Sequence, residues 1–422
     1  MRYRSAFISL IQSRLAQSAA KYTAFTAIDK IVPLLFLPIA VAKLSPESLG
    51  LISLFYATNL LFSTMAPLQT HGVIPTRFYK LSANDLKIYI GNALFMVLLS
   101  EIVFLTLLIP LWPTLSQMFN LPSNWLFLLI FSSLGTGLFQ VAQTIHRLED
   151  NWKLFGSMQI LKTSVDIGCT LAIVLLSNEP NQLARIIPIT LANSLFGVAS
   201  LLFIVFSGRA LFSIHKIYLK EILVFCAPLI PHSLSGWIIN SSDRFFLSKY
   251  AGLDVTGKYD VAYTLGMMIS LLSQSFNMAW SPYLFRILSE NSNNSFAQTK
   301  KIRRLYASSI LVAGVVLAVV AHVAMRLFAP PQFQTDASVI YLISAAFIAQ
   351  AFYFLYVNYL LYFHKTVVLL LITGTCSVIS ILLSITLIPK MGMLGAAIST
   401  CVAFFSLFLL TKNAVHLLVK DS

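Results

Sequence analysis

Apolar residues run along this chain in long unbroken blocks, without the alternation of half-buried strands. Each block is about 20 residues, the length an α-helix needs to cross the hydrocarbon layer of a bilayer. About twelve blocks predict spans near 20–43, 48–70, 86–110, 124–145, 154–177, 185–206, 221–248, 257–281, 305–328, 338–362, 366–388 and 392–414. Polar punctuation separates them, as in SPES at 45–48, LPSN at 121–124, SNEPNQ at 177–182 and APPQFQTD at 329–336. The pattern predicts an all-α integral membrane protein. A transmembrane β-barrel is disfavoured, because its strands would alternate between apolar and polar positions.

Composition agrees with this reading. Of 422 residues, 58% are hydrophobic and only 10% charged, against roughly 25% charged in soluble domains. The net charge of +14 does not point to nucleic acid, because the basic residues sit between spans and not on one face. Their distribution follows topology instead. One side of the membrane receives Arg2, Arg4, Arg14, Arg77, Lys80, Lys87, Arg147, Lys153, Arg209, Lys216, Lys220, Arg286, Lys300, Lys301, Arg303, Arg304, Lys365, Lys412 and Lys420. The other receives Lys43, Arg185, Lys249, Lys258, Arg326 and Lys390. This bias of roughly three to one predicts that the first side, with both termini, is cytoplasmic. The basic N-terminus lacks an apolar core followed by a small-residue cleavage site, so it reads as retained.

Chemistry of the enzymatic kind finds no foothold. Every loop is short; the longest, around 283–304, is basic. The four cysteines (Cys169, Cys226, Cys376, Cys401) fall inside apolar runs, with spacing that fits neither a zinc site nor a redox pair. The seven histidines are scattered, and there is no P-loop, HExxH or dinucleotide fingerprint. The expectation is a protein that is not an enzyme and holds no metal and no cofactor.

The two halves resemble each other. At an offset of about 207, Gly50 matches Gly257, Tyr56 matches Tyr263 and Ser63 matches Ser270; Pro75, Phe78, Leu81 and Ser82 match Pro282, Phe285, Leu288 and Ser289. This implies two parallel, pseudo-symmetric six-helix lobes, 1–207 and 208–422, an arrangement found in transporters with the substrate site at the repeat interface. Pro33 and Pro38 in the first span, and Pro228 and Pro231 in the seventh, sit at corresponding places. They read either as passive kinks or as the broken helices that line a cavity.

Ionisable residues inside the predicted spans are few: Lys21, Asp29, Lys30, Glu101, Lys162, Asp166, Asp243, Arg244 and Asp260. A charge at the bilayer centre costs about 2.5 to more than 10 kcal/mol, so each calls for a partner or a polar cavity. Lys162 and Asp166 stand at i and i+4 and can neutralise each other across one turn. Asp29 and Lys30 are adjacent, about 100° apart on a helix, so at least one must face a cavity or another helix. Glu101 is alone in an apolar stretch, either protonated, facing a polar neighbour, or carrying protons. Asp243 and Arg244 are also adjacent. Arg244 lies about one turn before the hairpin turn 249–256 and Asp260 about one turn after it. An Arg244–Asp260 bridge is therefore expected, leaving Asp243 to face elsewhere. Clasping the hairpin and lining a polar cavity are compatible roles.

The block APLIPHSLSGWIINSSDRFFLSKYAGLDVTGKYDVAYTLG, followed by SPYLFRILSE, resembles the Wzx-type lipid-linked oligosaccharide flippases. These are the polysaccharide-synthesis branch of the MOP superfamily, which also holds the MATE exporters. The pattern is a proline-opened seventh span, the Asn240…Asp243–Arg244 cluster, Gly257–x–Tyr259 and Pro282; PKMGMLGAAIST at 389–400 fits as well. The resemblance implies a MOP/MATE-like fold with a cavity that opens alternately to each side. It implies export of undecaprenyl-pyrophosphate-linked oligosaccharide across the bacterial inner membrane, with membrane lipids, a polysaccharide polymerase and a chain-length regulator as partners. In that setting Lys21, Lys30 and Arg244 are candidates for the phosphates. Asn240, Ser241, Ser242, Asp243 and Asp260 are further polar cavity candidates. Asp29, Glu101 and Asp166 are candidates for coupling to an H+ or Na+ gradient. A MATE-like cation or drug antiporter is the alternative, but it would favour an acidic cavity. A lipid II flippase would carry extra spans, and a polymerase would need a large outer loop.

Overall fold

The computed structural model describes residues 24–25, 31, 34–290 and 299–420. Lys21, Asp29 and Lys30 lie outside the described residues, so their roles remain sequence expectations. The helices are α1 (Leu34–Lys43), α2 (Pro46–Met65), α3 (Ile74–Phe78), α4 (Ala83–Met118), α5 (Leu126–Leu148), α6 (Trp152–Leu176), α7 (Leu183–Phe206) and α8 (Lys216–Cys226). They continue as α9 (Leu229–Ser241), α10 (Asp243–Tyr250), α11 (Leu253–Gly266), α12 (Met268–Glu290), α13 (Lys300–Phe328), α14 (Ala337–Tyr362), α15 (Thr366–Met391) and α16 (Met393–Lys420).

Among the described residues, 10 helical segments are long and apolar enough to cross a membrane. They match ten of the expected spans. Among the described residues the first expected span is represented chiefly by α1, and the eighth falls on α11 and α12, which are separated at Met267. The seventh expected span is three helices, broken at Ala227–Pro228 and again at Ser242. The third is longer than expected: α4 runs 36 residues through Pro110 and Pro113, about 54 Å at 1.5 Å per residue. Large apolar side chains such as Leu107, Leu176 and Leu371 are exposed along these helices. In water such a surface would aggregate; hydrocarbon accommodates it.

Polar residues at the expected loops start the helices. Ser45 accepts from Ser48 N at 3.2 Å ahead of Pro46, and Ser82 accepts from Asp85 N at 3.2 Å. Asn151 and Asp336 cap α6 and α14 in the same way. Each side chain satisfies one of the backbone donors left open in a first turn.

The chain divides into two compact units, Lys43–Trp237 and Ile238–Ser422 together with the described part of Met1–Ala42. These are packing units; the repeat halves 1–207 and 208–422 are a statement about likeness within the sequence. In Lys43–Trp237, α5 and α7 cross at glycine. A Cβ on Gly135 would lie 2.2 Å from Asn193 O, and one on Gly197 would lie 2.3 Å from Gly135 Cα. Asn193 Nδ2 donates to Ser132 Oγ at 2.8 Å across the same crossing. Small residues and a polar contact are how helices associate where lipid removes the hydrophobic incentive.

The segment 210–237 packs onto this same unit. Leu211 N donates to Lys87 O at 2.9 Å, and Asn92 Nδ2 to Ser213 O at 2.7 Å. Trp237 Nε1 donates to Ala57 O at 2.7 Å. Arg77 grips Glu221 through two bonds of 2.6 and 2.8 Å, and this carboxylate holds the guanidinium pKa above its ordinary value. In the other unit α14 is central, with Ala346, Ala349, Tyr359 and Leu360 buried against α12, α15 and α16. The turn from α15 to α16 needs Gly392, at φ +55° and ψ −127°, a region that side chains disfavour.

Candidate functional site

The site grows from the break at Ser242. Pro228 and Pro231 open the segment, and α9 ends at Ser241. Ser242 Oγ turns back to donate to Ile238 O at 2.7 Å. The chain resumes as α10 with Asp243 as its first residue. Asp243 Oδ1 accepts from Arg244 N at 2.9 Å, an acceptor placed where a helix start leaves donors open.

This geometry corrects one sequence expectation. On a continuous helix Asp243 and Arg244 would point apart; at a helix start they do not. Arg244 Nη1 donates to Asp243 Oδ1 at 3.1 Å and to Asn240 O at 2.9 Å. The expected bridge is present too, with Arg244 Nε donating to Asp260 Oδ1 at 3.2 Å. The guanidinium carbon lies 4.2 Å from the centre of the Tyr263 ring. Arg244 thus spans two carboxylates above an aromatic face, the set of contacts a planar guanidinium makes and an ammonium does not.

Asp243 is the more deeply held carboxylate. Its Oδ2 accepts from Tyr259 OH at 2.6 Å and from Thr400 Oγ1 at 3.2 Å. Only 4% of its side chain is exposed, against 30% for Asp260. Tyr263 OH donates to Asn240 O at 3.2 Å, so that carbonyl receives both Tyr263 and Arg244. Ser241 is buried at the end of α9. Of the candidates Asn240, Ser241, Asp243, Arg244 and Asp260, the structure gathers Asp243, Arg244, Asp260 and the Asn240 carbonyl into one cluster, with Ser241 next to it in the chain. Tyr259, Tyr263 and Thr400 were missed as members of the cluster. All three lie in the two quoted motifs, and Tyr263 also in the internal repeat, which was the available signal.

The other unit holds a second buried pair. Asp166 on α6 accepts from Arg185 Nη1 at 2.5 Å and from Nη2 at 3.0 Å. Arg185 Nη1 also donates to Thr170 Oγ1 at 2.9 Å, and its guanidinium lies 5.5 Å from the centre of the Tyr56 ring. Asp166 therefore has a long-range cation as its partner, while Lys162 Nζ sits 5.2 Å from the Phe139 ring centre. Arg185, counted from the sequence as a loop charge, is only 5% exposed. Tyr56 and Tyr263 are the pair matched by the internal repeat, and each carries an arginine over its ring.

Glu101 has no such partner in kind. It is buried on α4; its Oε1 accepts from Ser133 Oγ, and its Oε2 has no hydrogen-bond partner among the described residues. Among the described residues no group of three or more His, Cys, Asp or Glu side chains could hold a metal ion.

Comparison with known proteins gives this geometry a context. Among solved structures, the chain is similar to an inward-facing multidrug resistance MATE family transporter of the MOP superfamily. The TM-score is 0.72 at 16% identity, covering 93% of this chain and 96% of that one. It is also similar to the lipid II flippase MurJ in an inward closed conformation, with TM-score 0.67, 16% identity, and 94% and 87% of the two chains covered. These likenesses establish a MATE-like fold. In sequence, the chain is 25% identical over 268 residues to Lsg locus putative protein 1 of Haemophilus influenzae, covering 62% of this chain and 64% of that protein's length. Residues 15–288 match the polysaccharide biosynthesis protein family, a stretch that contains the whole of α9 to α11. The chain therefore belongs to the polysaccharide biosynthesis protein family, as a multi-pass membrane protein with an all-helical, MATE-like fold.

Proposed function

We propose that this protein is a flippase that moves undecaprenyl-pyrophosphate-linked oligosaccharide across the bacterial inner membrane by alternating access, without covalent chemistry. The observation that carries the reading is Arg244, a guanidinium placed over Tyr263 and between Asp243 and Asp260 inside an otherwise apolar chain. The family supports a cargo from polysaccharide synthesis. A pyrophosphate is insoluble in hydrocarbon, and a planar guanidinium matches its oxygens two at a time. Asn240, Ser241 and Ser242 supply neighbouring polar groups for sugars, while the polyprenyl tail stays in lipid.

Electrical work favours this direction. An inside-negative potential drives each negative charge outward with about 2.3 kcal/mol per 100 mV, so an ion gradient is needed chiefly to reset the empty carrier. Of the three coupling candidates, Glu101 has the geometry for a proton, being buried beside Ser133 with one oxygen unsatisfied. Asp166 is engaged by Arg185, and Asp29 rests on the sequence alone. Both termini are read as cytoplasmic from the basic-loop bias.

Deletion of the gene in its own host tests the proposal. The deletion strain should lose surface polysaccharide and accumulate lipid-linked oligosaccharide in the inner leaflet, and the wild-type gene should restore export. Normal surface polysaccharide in the deletion strain would refute the reading.

A further inference from the structure

The two carboxylates on Arg244 are unequal, and the difference has a direction. Asp243 is 4% exposed and holds four donors: Arg244 N, Arg244 Nη1, Tyr259 OH and Thr400 Oγ1. Moving it would strand two buried hydroxyls and a helix start. Asp260 is 30% exposed and meets the guanidinium at Nε, at 3.2 Å. The guanidinium therefore turns its Nη1 corner to a fixed partner and its Nε edge to a more accessible one. The Nε edge is also one of the faces from which arginine grips a phosphate through two parallel bonds.

We propose that Asp260 is an internal stand-in for the anionic cargo: its carboxylate occupies the Nε edge of Arg244 in the empty protein, and the cargo phosphate displaces it on binding. This rests on the reading of the cargo as a lipid-linked pyrophosphate. Asp243, Asn240 O and the Tyr263 ring keep the guanidinium in place throughout, while the Asp260 side chain turns away. The occupied edge gives the protein a reason to prefer a multiply charged phosphate. A weaker anion does not outcompete a carboxylate already in position, and a neutral lipid offers nothing for the edge. Asp260 is thereby a specificity-determining residue that acts by competition.

The test measures binding of farnesyl pyrophosphate to the purified full-length protein in nanodiscs, with farnesol as the control for partitioning. Asp260→Asn keeps the side-chain volume and removes the competing charge, and should bind the pyrophosphate roughly tenfold more tightly than wild type, the scale of one lost hydrogen bond to a charged group. The preference for farnesyl pyrophosphate over farnesyl monophosphate should narrow in the same variant. Asp260→Glu keeps the competitor and should bind no more tightly than wild type; it decides the matter if the asparagine variant does not fold. Equal or weaker pyrophosphate binding by Asp260→Asn, or tighter binding by Asp260→Glu, would overturn the exchange. Wild-type protein that fails to bind farnesyl pyrophosphate above farnesol would instead overturn the cargo reading on which the exchange rests.

Discussion

Removing the Arg244 side chain is the most informative single perturbation of the fold. Arg244→Ala deletes the bonds to Asp243 at 3.1 Å, Asp260 at 3.2 Å and Asn240 O at 2.9 Å, and the contact with the Tyr263 ring at 4.2 Å. Breaking a buried ion pair from one side costs about 3–5 kcal/mol, because a buried charge is left behind. Here the loss sits toward the lower end. Asp243 retains Arg244 N, Tyr259 OH and Thr400 Oγ1, and Asp260 is partly exposed. A loss of about 3 kcal/mol corresponds to a fall of roughly 6–12 °C in Tm for a unit of this size. The assay is thermal unfolding followed by fluorescence-detected size-exclusion chromatography in detergent, beside abundance in isolated membranes. Exchanging the charges, with Arg244→Asp and Asp260→Arg together, should restore less than half of the lost stability. A simple two-residue clasp would be rescued, but Asp243 would then face a second carboxylate. Arg244→Ala within about 1–2 °C of wild type, or full rescue by the exchange, would refute the three-residue account.

Four further outcomes follow from other parts of the structure. Arg185→Ala should destabilise by about 3 kcal/mol, and adding Asp166→Asn should recover part of the loss, since the pair is bidentate and buried; additive losses in a double-mutant cycle would show that the two do not interact. Gly135→Leu should abolish folded protein in membranes, because even a Cβ would meet Asn193 O at 2.2 Å; normal abundance would contradict the crossing. His71, between the spans, has its pKa lowered to about 4 by burial and by the nearby Arg147. The unfolded chain binds a proton near pH 6.5, so the stability His71 contributes is complete above that pH and is lost on the way down to about 4, about 3 kcal/mol in all. His71→Asn should flatten the Tm profile in that window, and an unchanged profile would count against it. Glu101→Gln should leave the protein folded and remove the dependence of transport on a proton gradient; a variant that retains full gradient dependence would exclude Glu101 as the carrier.

The spans were legible because each is a single apolar run long enough to cross a bilayer. The bridge between Arg244 and Asp260 was legible because both flank one hairpin turn, so sequence distance sets spatial depth. What the sequence hid has physical causes. The break at Ser242 carries no proline or glycine of its own, and so the seventh span read as one helix and Asp243 as turned away. Spacing rules reveal partners one turn apart, which pointed to Lys162 for Asp166; the bidentate Arg185 is 19 residues away on the next helix and looked like a loop charge beside SNEPNQ. Thr400 lies 157 residues from Asp243, in a run where the adjacent hydroxyls of Ser399 and Thr400 are unremarkable among apolar neighbours.

The proposed function requires lipid-linked oligosaccharide to cross a bilayer through this protein with the help of Arg244. The direct measurement uses proteoliposomes containing purified protein and undecaprenyl-pyrophosphate-linked oligosaccharide, with an added glycosidase reporting the fraction of sugar exposed on the outer leaflet over time. Wild-type protein should raise the exposed fraction well above protein-free vesicles, while Arg244→Lys, which keeps the charge and loses the planar fork, should be markedly slower at equal protein content. An exposed fraction that stays at the protein-free level with folded wild-type protein in the membrane would show that the protein does not move this cargo.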